Sequence, residues 1–87
     1  MKIHNGFVLL ENGEGACALF PEDHPYYGGR LELNATGVLL WRELEQGTDA
    51  YGLQALLRNT FDVTQPEAAE AVERFLDRLR EVNCLAE

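Results

Sequence analysis

Apolar positions along the chain fall into two regimes. In the first third they form short runs between turn formers. Phe7-Val8-Leu9-Leu10 is followed by Glu11-Asn12-Gly13-Glu14-Gly15, and then by Ala16-Cys17-Ala18-Leu19-Phe20, which ends at Pro21. Two apolar runs around a glycine-rich turn predict a β-hairpin. Glu22-Asp23-His24-Pro25-Tyr26-Tyr27-Gly28-Gly29 breaks the regularity with proline and paired glycines, and reads as a loop. Arg30-Leu31-Glu32-Leu33 then alternates with period two. It predicts a third, half-buried strand with Leu31 and Leu33 toward the core and Arg30 and Glu32 outward.

After Leu33 the period lengthens to that of a helix. Val38, Leu40, Trp41 and Leu44 share one helical face, with Asn34 or Thr36 available as N-cap and Gly47 as the stop. A second helix, capped by Thr48 or Asp49, carries Leu53, Leu56, Leu57 and Phe61. The third opens on Thr64-Gln65-Pro66-Glu67, a capping-box pattern with proline in the first turn, where no amide hydrogen is missed. Its buried face is marked by Ala68, Val72, Phe75, Leu76 and Leu79, and it ends near Asn83. Trp41, Leu44, Leu56, Phe61, Val72, Leu76 and Leu79 are the predicted core. Three strands followed by three helices indicate an α+β fold, a three-stranded antiparallel sheet packed against helices, with residues 1–87 as one domain.

Charge changes the picture of partners. The 87 residues include 15 acidic and 7 basic side chains, a net charge of −8, and Lys2 is the one lysine. A protein that grips duplex DNA must neutralise several phosphates, so nucleic acid is not the expected partner. No apolar run approaches the ~20 residues of a membrane helix, and the first residues show no secretory pattern. The expected setting is cytoplasmic, without a membrane partner. Cys17 and Cys84 lack metal-ligand spacing, and His4 and His24 are isolated in sequence. Free cysteines acting as small hydrophobes are expected, with no metal and no cofactor.

Candidate chemistry is sparse. Glu43 and Glu45, or Glu67, Glu70 and Glu73, fall on solvated helix faces, whereas acid–base work needs a desolvated carboxylate. Neither cysteine has a partner histidine at a recognisable spacing, and no G-x-S-x-G elbow is present. Gly13-Glu14-Gly15 and Gly28-Gly29 are turn glycines beside strands, not phosphate loops. Asn34-Ala35-Thr36 matches a glycosylation sequon, but helix capping accounts for it. The expectation is therefore a non-enzymatic chain.

One cluster stands out from the acidic background. On a helical wheel, Ala71, Phe75, Arg78 and Val82 form a flank beside the buried stripe of the third helix, with Arg74 farther round. The plain reading is a solvated face stabilised by pairs such as Glu70 to Arg74. The other is a mixed apolar and cationic wall, able to bury a peptide's side chains and to meet its carboxylates with forked guanidinium groups. Periodicity leaves both open.

The ordered set of segments resembles the PqqD-like family. Leu31-Glu32-Leu33-Asn34-Ala35-Thr36-Gly37-Val38-Leu39-Leu40-Trp41 is similar to that family's L-N-x-T-G/A-x-x-x-W segment. Glu45-Gln46-Gly47-Thr48, Leu56-Leu57 and Phe61-Asp62-Val63 resemble its second-helix region, and Ala71-Val72-Glu73-Arg74-Phe75-Leu76-Asp77-Arg78-Leu79 its D-V-x-x-F-L-x-x-L helix. Gly6-Phe7-Val8-Leu9 also fits. The chain departs from the family at Asn83-Cys84-Leu85, where Gly-Leu is usual, and at Ala71, where Asp is frequent. The resemblance implies a winged-helix-like peptide-recognition element. Such domains bind the leader segment of a ribosomally made precursor peptide and present it to a modifying enzyme, often a radical SAM protein. It implies that the leader adds as a strand at Arg30, Leu31, Glu32 and Leu33 and packs against Ala71, Arg74, Phe75 and Arg78. Two other readings stay open on the sequence. One is a winged-helix DNA-binding regulator, which the acidic balance opposes. The other is a structural subunit that binds no peptide.

Overall fold

A computed structural model describes residues 1–13 and 15–87; Glu14, in the expected hairpin turn, lies outside the described residues. The elements run β1 (Lys2–Ile3), β2 (Val8–Glu11), β3 (Gly15–Leu19), β4 (Arg30–Asn34), α1 (Ala35–Gln46), α2 (Ala50–Thr60), α3 (Gln65–Glu81) and β5 (Leu85–Ala86). Strands β2, β3 and β4 form an antiparallel sheet in that order, so β4 is an edge strand. The three expected strands and three expected helices are all present, in the expected order. The chain adds a small β1–β5 ladder, pairing Ile3 with Leu85, that the sequence reading lacks.

Local chemistry sets the helix ends. Asn34 Oδ1 accepts from the Gly37 amide at 2.8 Å, and Asp49 Oδ1 from the Gly52 amide at 2.8 Å. Both hydrogen bonds satisfy amides that the first helical turn leaves unpaired. Both arms of the Thr64–Glu67 capping box form in α3. The reciprocal bond holds the Glu67 carboxyl below its usual range, chiefly through the Thr64 amide. α1 ends where Gly47 turns to φ +97, a conformation that strains any side-chain-bearing residue.

The core lies between the inner face of the sheet and the helices, joining Ala18, Leu31 and Leu33 to Leu40, Trp41, Leu44, Leu53, Leu57, Val72, Leu76 and Leu79. Trp41 is fully buried and meets Phe7 edge-on at 5.9 Å. Its indole N–H has no hydrogen-bond partner among the described residues. Two expected core residues depart from the reading. Phe61 is 42% exposed, because α2 stops at Thr60 and Phe61 is its extended C-cap, so a helical wheel carried through it points the wrong way. Leu56 is only half-buried, since Leu53 and Leu57 form the inward row of α2.

Cys17 and Cys84 are free. Cys84 is buried, and desolvation pushes its thiol up to about 12, so it is a thiol and not a thiolate at neutral pH.

Candidate functional site

β2 and β4 are the two edges of the sheet, and the open side of β4 lies beside α3. In the hairpin, the Asn12 amide donates to the Gly15 carbonyl at 3.0 Å, which makes residues 12 and 15 a hydrogen-bonded pair. Antiparallel ladders alternate bonded and non-bonded pairs, so residues 10 and 17 and residues 8 and 19 are bonded pairs as well. Ala16 and Ala18 on β3 therefore turn their amides toward β4 and bond Leu33 and Leu31. The main-chain groups of Arg30 and Glu32 face away from the sheet. One hydrogen bond confirms this direction: Arg78 Nη2 on α3 donates to the Glu32 carbonyl.

α3 supplies the facing wall. Phe75 is 8% exposed, Ala71 half-buried, and Arg74 and Arg78 exposed. Arg74 pairs with Glu70 at 3.4 Å across one helical turn. Ala71, Arg74, Phe75 and Arg78 line a single groove of about 320 Å³, closed on its other side by Asn34, Thr36, Gly37 and Leu40. The floor is apolar and the rim cationic, in a chain that is acidic elsewhere. Exposed α3 positions outside the groove include Glu73, Asp77 and Glu81, so the helix is not the basic element that duplex DNA requires.

All four α3 residues expected from the sequence thus meet in one place, next to the expected edge strand. The β4 residues divide by role. Leu31 and Leu33 are 6% and 4% exposed, so their side chains belong to the core and only their main chain lies near the groove. Arg30 and Glu32 turn their side chains to the outer face of the sheet, and their main-chain groups at the edge have no partner strand. The sequence reading missed the first turn of α1 as part of the site. The signal for it was Asn34, which ends β4 and caps α1, so the first turn of that helix must sit at the end of the edge strand. Gly37 suits that tight junction: a Cβ there would lie 3.3 Å from Asn34 Oδ1 and 3.4 Å from the Leu33 side chain, so both would have to give by a few tenths of an ångström.

A cavity of about 350 Å³ lies elsewhere, lined by His4, Asn5, Phe7, Pro21, Asp23, His24, Pro25 and Asn83. Its central histidine, His24, has both ring nitrogens engaged. His24 Nδ1 accepts from the Tyr26 amide at 3.0 Å, leaving Nε2 to donate to the Asn83 carbonyl at 3.3 Å, and the ring stacks on Phe20 at 4.8 Å. This histidine ties the β3–β4 loop to the turn after α3, where Asn83 takes the left-handed conformation at φ 55. Among the described residues no cluster of His, Cys, Asp and Glu could hold a metal ion.

Among the described residues no helix is long and apolar enough to cross a membrane. No curated protein matches the chain. A solved structure, TbiB1 in complex with the TbiA(beta) leader peptide, superposes over 100% of both chains with a TM-score of 0.81 at 21% identity. The α+β architecture, a three-stranded antiparallel sheet followed by three helices, is the fold of that protein. The family model described as coenzyme PQQ synthesis protein D (PqqD) matches residues 7–85, and the chain belongs to the PqqD family.

Proposed function

We propose that this chain binds the leader segment of a ribosomally made precursor peptide, without catalysis of its own, and presents it to a modifying enzyme. The observation that carries the reading is the pairing of an open strand edge with a groove. Arg30 and Glu32 hold main-chain groups with no partner strand, and Ala71, Phe75, Arg74 and Arg78 wall an apolar cleft beside them. A guest backbone that adds to β4 satisfies those groups, and its alternate side chains enter the cleft. TbiB1, which shares the fold, was solved in complex with a leader peptide, and this supports the same ligand class here. The modifying enzyme on this reading is a radical SAM protein, and the setting is the cytoplasm, where two free thiols fit a reducing environment.

The test is titration of the isotope-labelled chain with the leader of a precursor encoded beside it. Amide shifts are expected at residues 29–34 and 71–82, with slowed hydrogen exchange at Arg30 and Glu32. Shifts centred on α2, with β4 exchange unchanged, would overturn the reading. Co-purification with a radical SAM enzyme encoded in the same neighbourhood tests the partner.

A further inference from the structure

We propose that Arg78 is an exchangeable latch on the β4 edge, and that it selects guest segments carrying a carboxylate on the side facing α3. The inference rests on strand addition at β4. Arg42, Arg74 and Arg80 each pair with a carboxylate of their own chain. Arg78, in a chain with 15 acidic residues, makes no ion pair among the described residues and donates instead to the main-chain carbonyl of Glu32. That carbonyl is one of the edge groups with no partner strand. In the free chain the guanidinium therefore blunts an open strand edge, which otherwise invites pairing with another copy.

A guest strand needs the same acceptor for its own amide. As it adds, the guanidinium gives up the carbonyl and is overlaid by the guest, and a desolvated charge without a partner is costly. The alternation of the strand says where the replacement must stand. The guest residue opposite Glu32 shares its outward orientation, and the residues on either side of it point toward α3. A carboxylate at one of those two positions meets the freed guanidinium as a charge-assisted, forked pair. The other position faces the apolar floor at Ala71 and Phe75. The favoured guest has an acidic and an apolar residue two apart.

The probe is a displayed library of ten-residue peptides on an alternating Val/Thr frame with randomised positions, selected against the wild-type chain, Arg78→Met and Arg78→Lys. For the wild type, Asp or Glu is expected at one α3-facing position, and replacing it by Ala in the selected peptide should weaken binding about threefold to tenfold. Arg78→Met should lose the acid preference while binding the Ala peptide at least as tightly as the wild type does, since no latch has to be displaced. Arg78→Lys should keep a weaker acid preference. The Arg78 side-chain and Glu32 carbonyl resonances of the wild type should both shift on peptide addition. Acid preference that survives in Arg78→Met overturns the proposal, as does weaker binding of the Ala peptide by that variant. A carbonyl can accept two hydrogen bonds, so an Arg78 resonance that stays unchanged in the complex also overturns it. If no selected peptide slows exchange at the Arg30 and Glu32 amides, strand addition itself fails, and that outcome is distinct from a failed latch.

Discussion

Phe75 belongs at once to the core and to the groove, and the structure allows its two roles to be weighed. Its ring packs within the central cluster, and 8% of the residue remains exposed. A phenylalanine buries on the order of 200 Å², so the part left for a guest to cover is about 16 Å². At about 25 cal/mol per Å², direct contact with the ring adds about 0.4 kcal/mol to binding. The same ring is worth far more to folding, since truncating a buried phenylalanine to alanine costs about 3–5 kcal/mol. A domain of this size has roughly 4–13 kcal/mol of stability in total. Phe75→Ala should therefore lose a large share of the fold. Phe75→Leu should cost less than about 1.5 kcal/mol and change leader affinity by less than about threefold. Urea unfolding followed by far-UV circular dichroism measures the first quantity, and calorimetric titration of the folded variants measures the second. A folded Phe75→Leu chain that binds the leader tenfold more weakly would refute the reasoning, because it would require the ring to move out and act as an anchor. An unchanged urea midpoint for Phe75→Ala would refute the core assignment.

Other predictions bear on the elements that hold the groove. Trp41→Ala should cost about 3–5 kcal/mol, whereas Trp41→Phe should stay within about 1.5 kcal/mol because it also removes an unpaired buried N–H. Equal costs for the two variants in urea unfolding would show that the indole has a partner. Asn34→Ala removes the α1 cap at the groove rim and should cost about 1 kcal/mol, with loosened amides at residues 35–37 in hydrogen exchange. Glu67, whose carboxyl is held low by the Thr64 amide, contributes stability that is complete above its ordinary value of 4.5 and is lost as pH falls through the lower folded value. Urea midpoints taken downward from pH 5 should show a shallower acid loss for Glu67→Gln than for the wild type, and parallel curves would exclude the capping box as a source of acid sensitivity.

Local interactions were legible in the sequence because they act between near neighbours. The capping box at Thr64–Glu67, the glycine stop at Gly47 and the period-two strand at Arg30–Leu33 each depend on residues a few positions apart, and each appears where the spacing put it. The third-helix flank was legible for the same reason: a 100° turn per residue places Ala71, Phe75 and Arg78 on one side whatever packs against it. The wheel failed at Phe61, where the helix ends and the period with it. The β1–β5 pairing joins two-residue strands at opposite ends of the chain, too short to show any alternation. The site itself was only half readable. The sequence marked an edge strand and a mixed helix face, but whether they face each other depends on how α3 packs. The Arg78 bond to the Glu32 carbonyl spans 46 positions, and it exists only because tertiary packing brings an exposed arginine to a main-chain group at the sheet edge. No side-chain pattern announces that contact, since every residue has the same carbonyl, and only the sheet order decides which of them is left open.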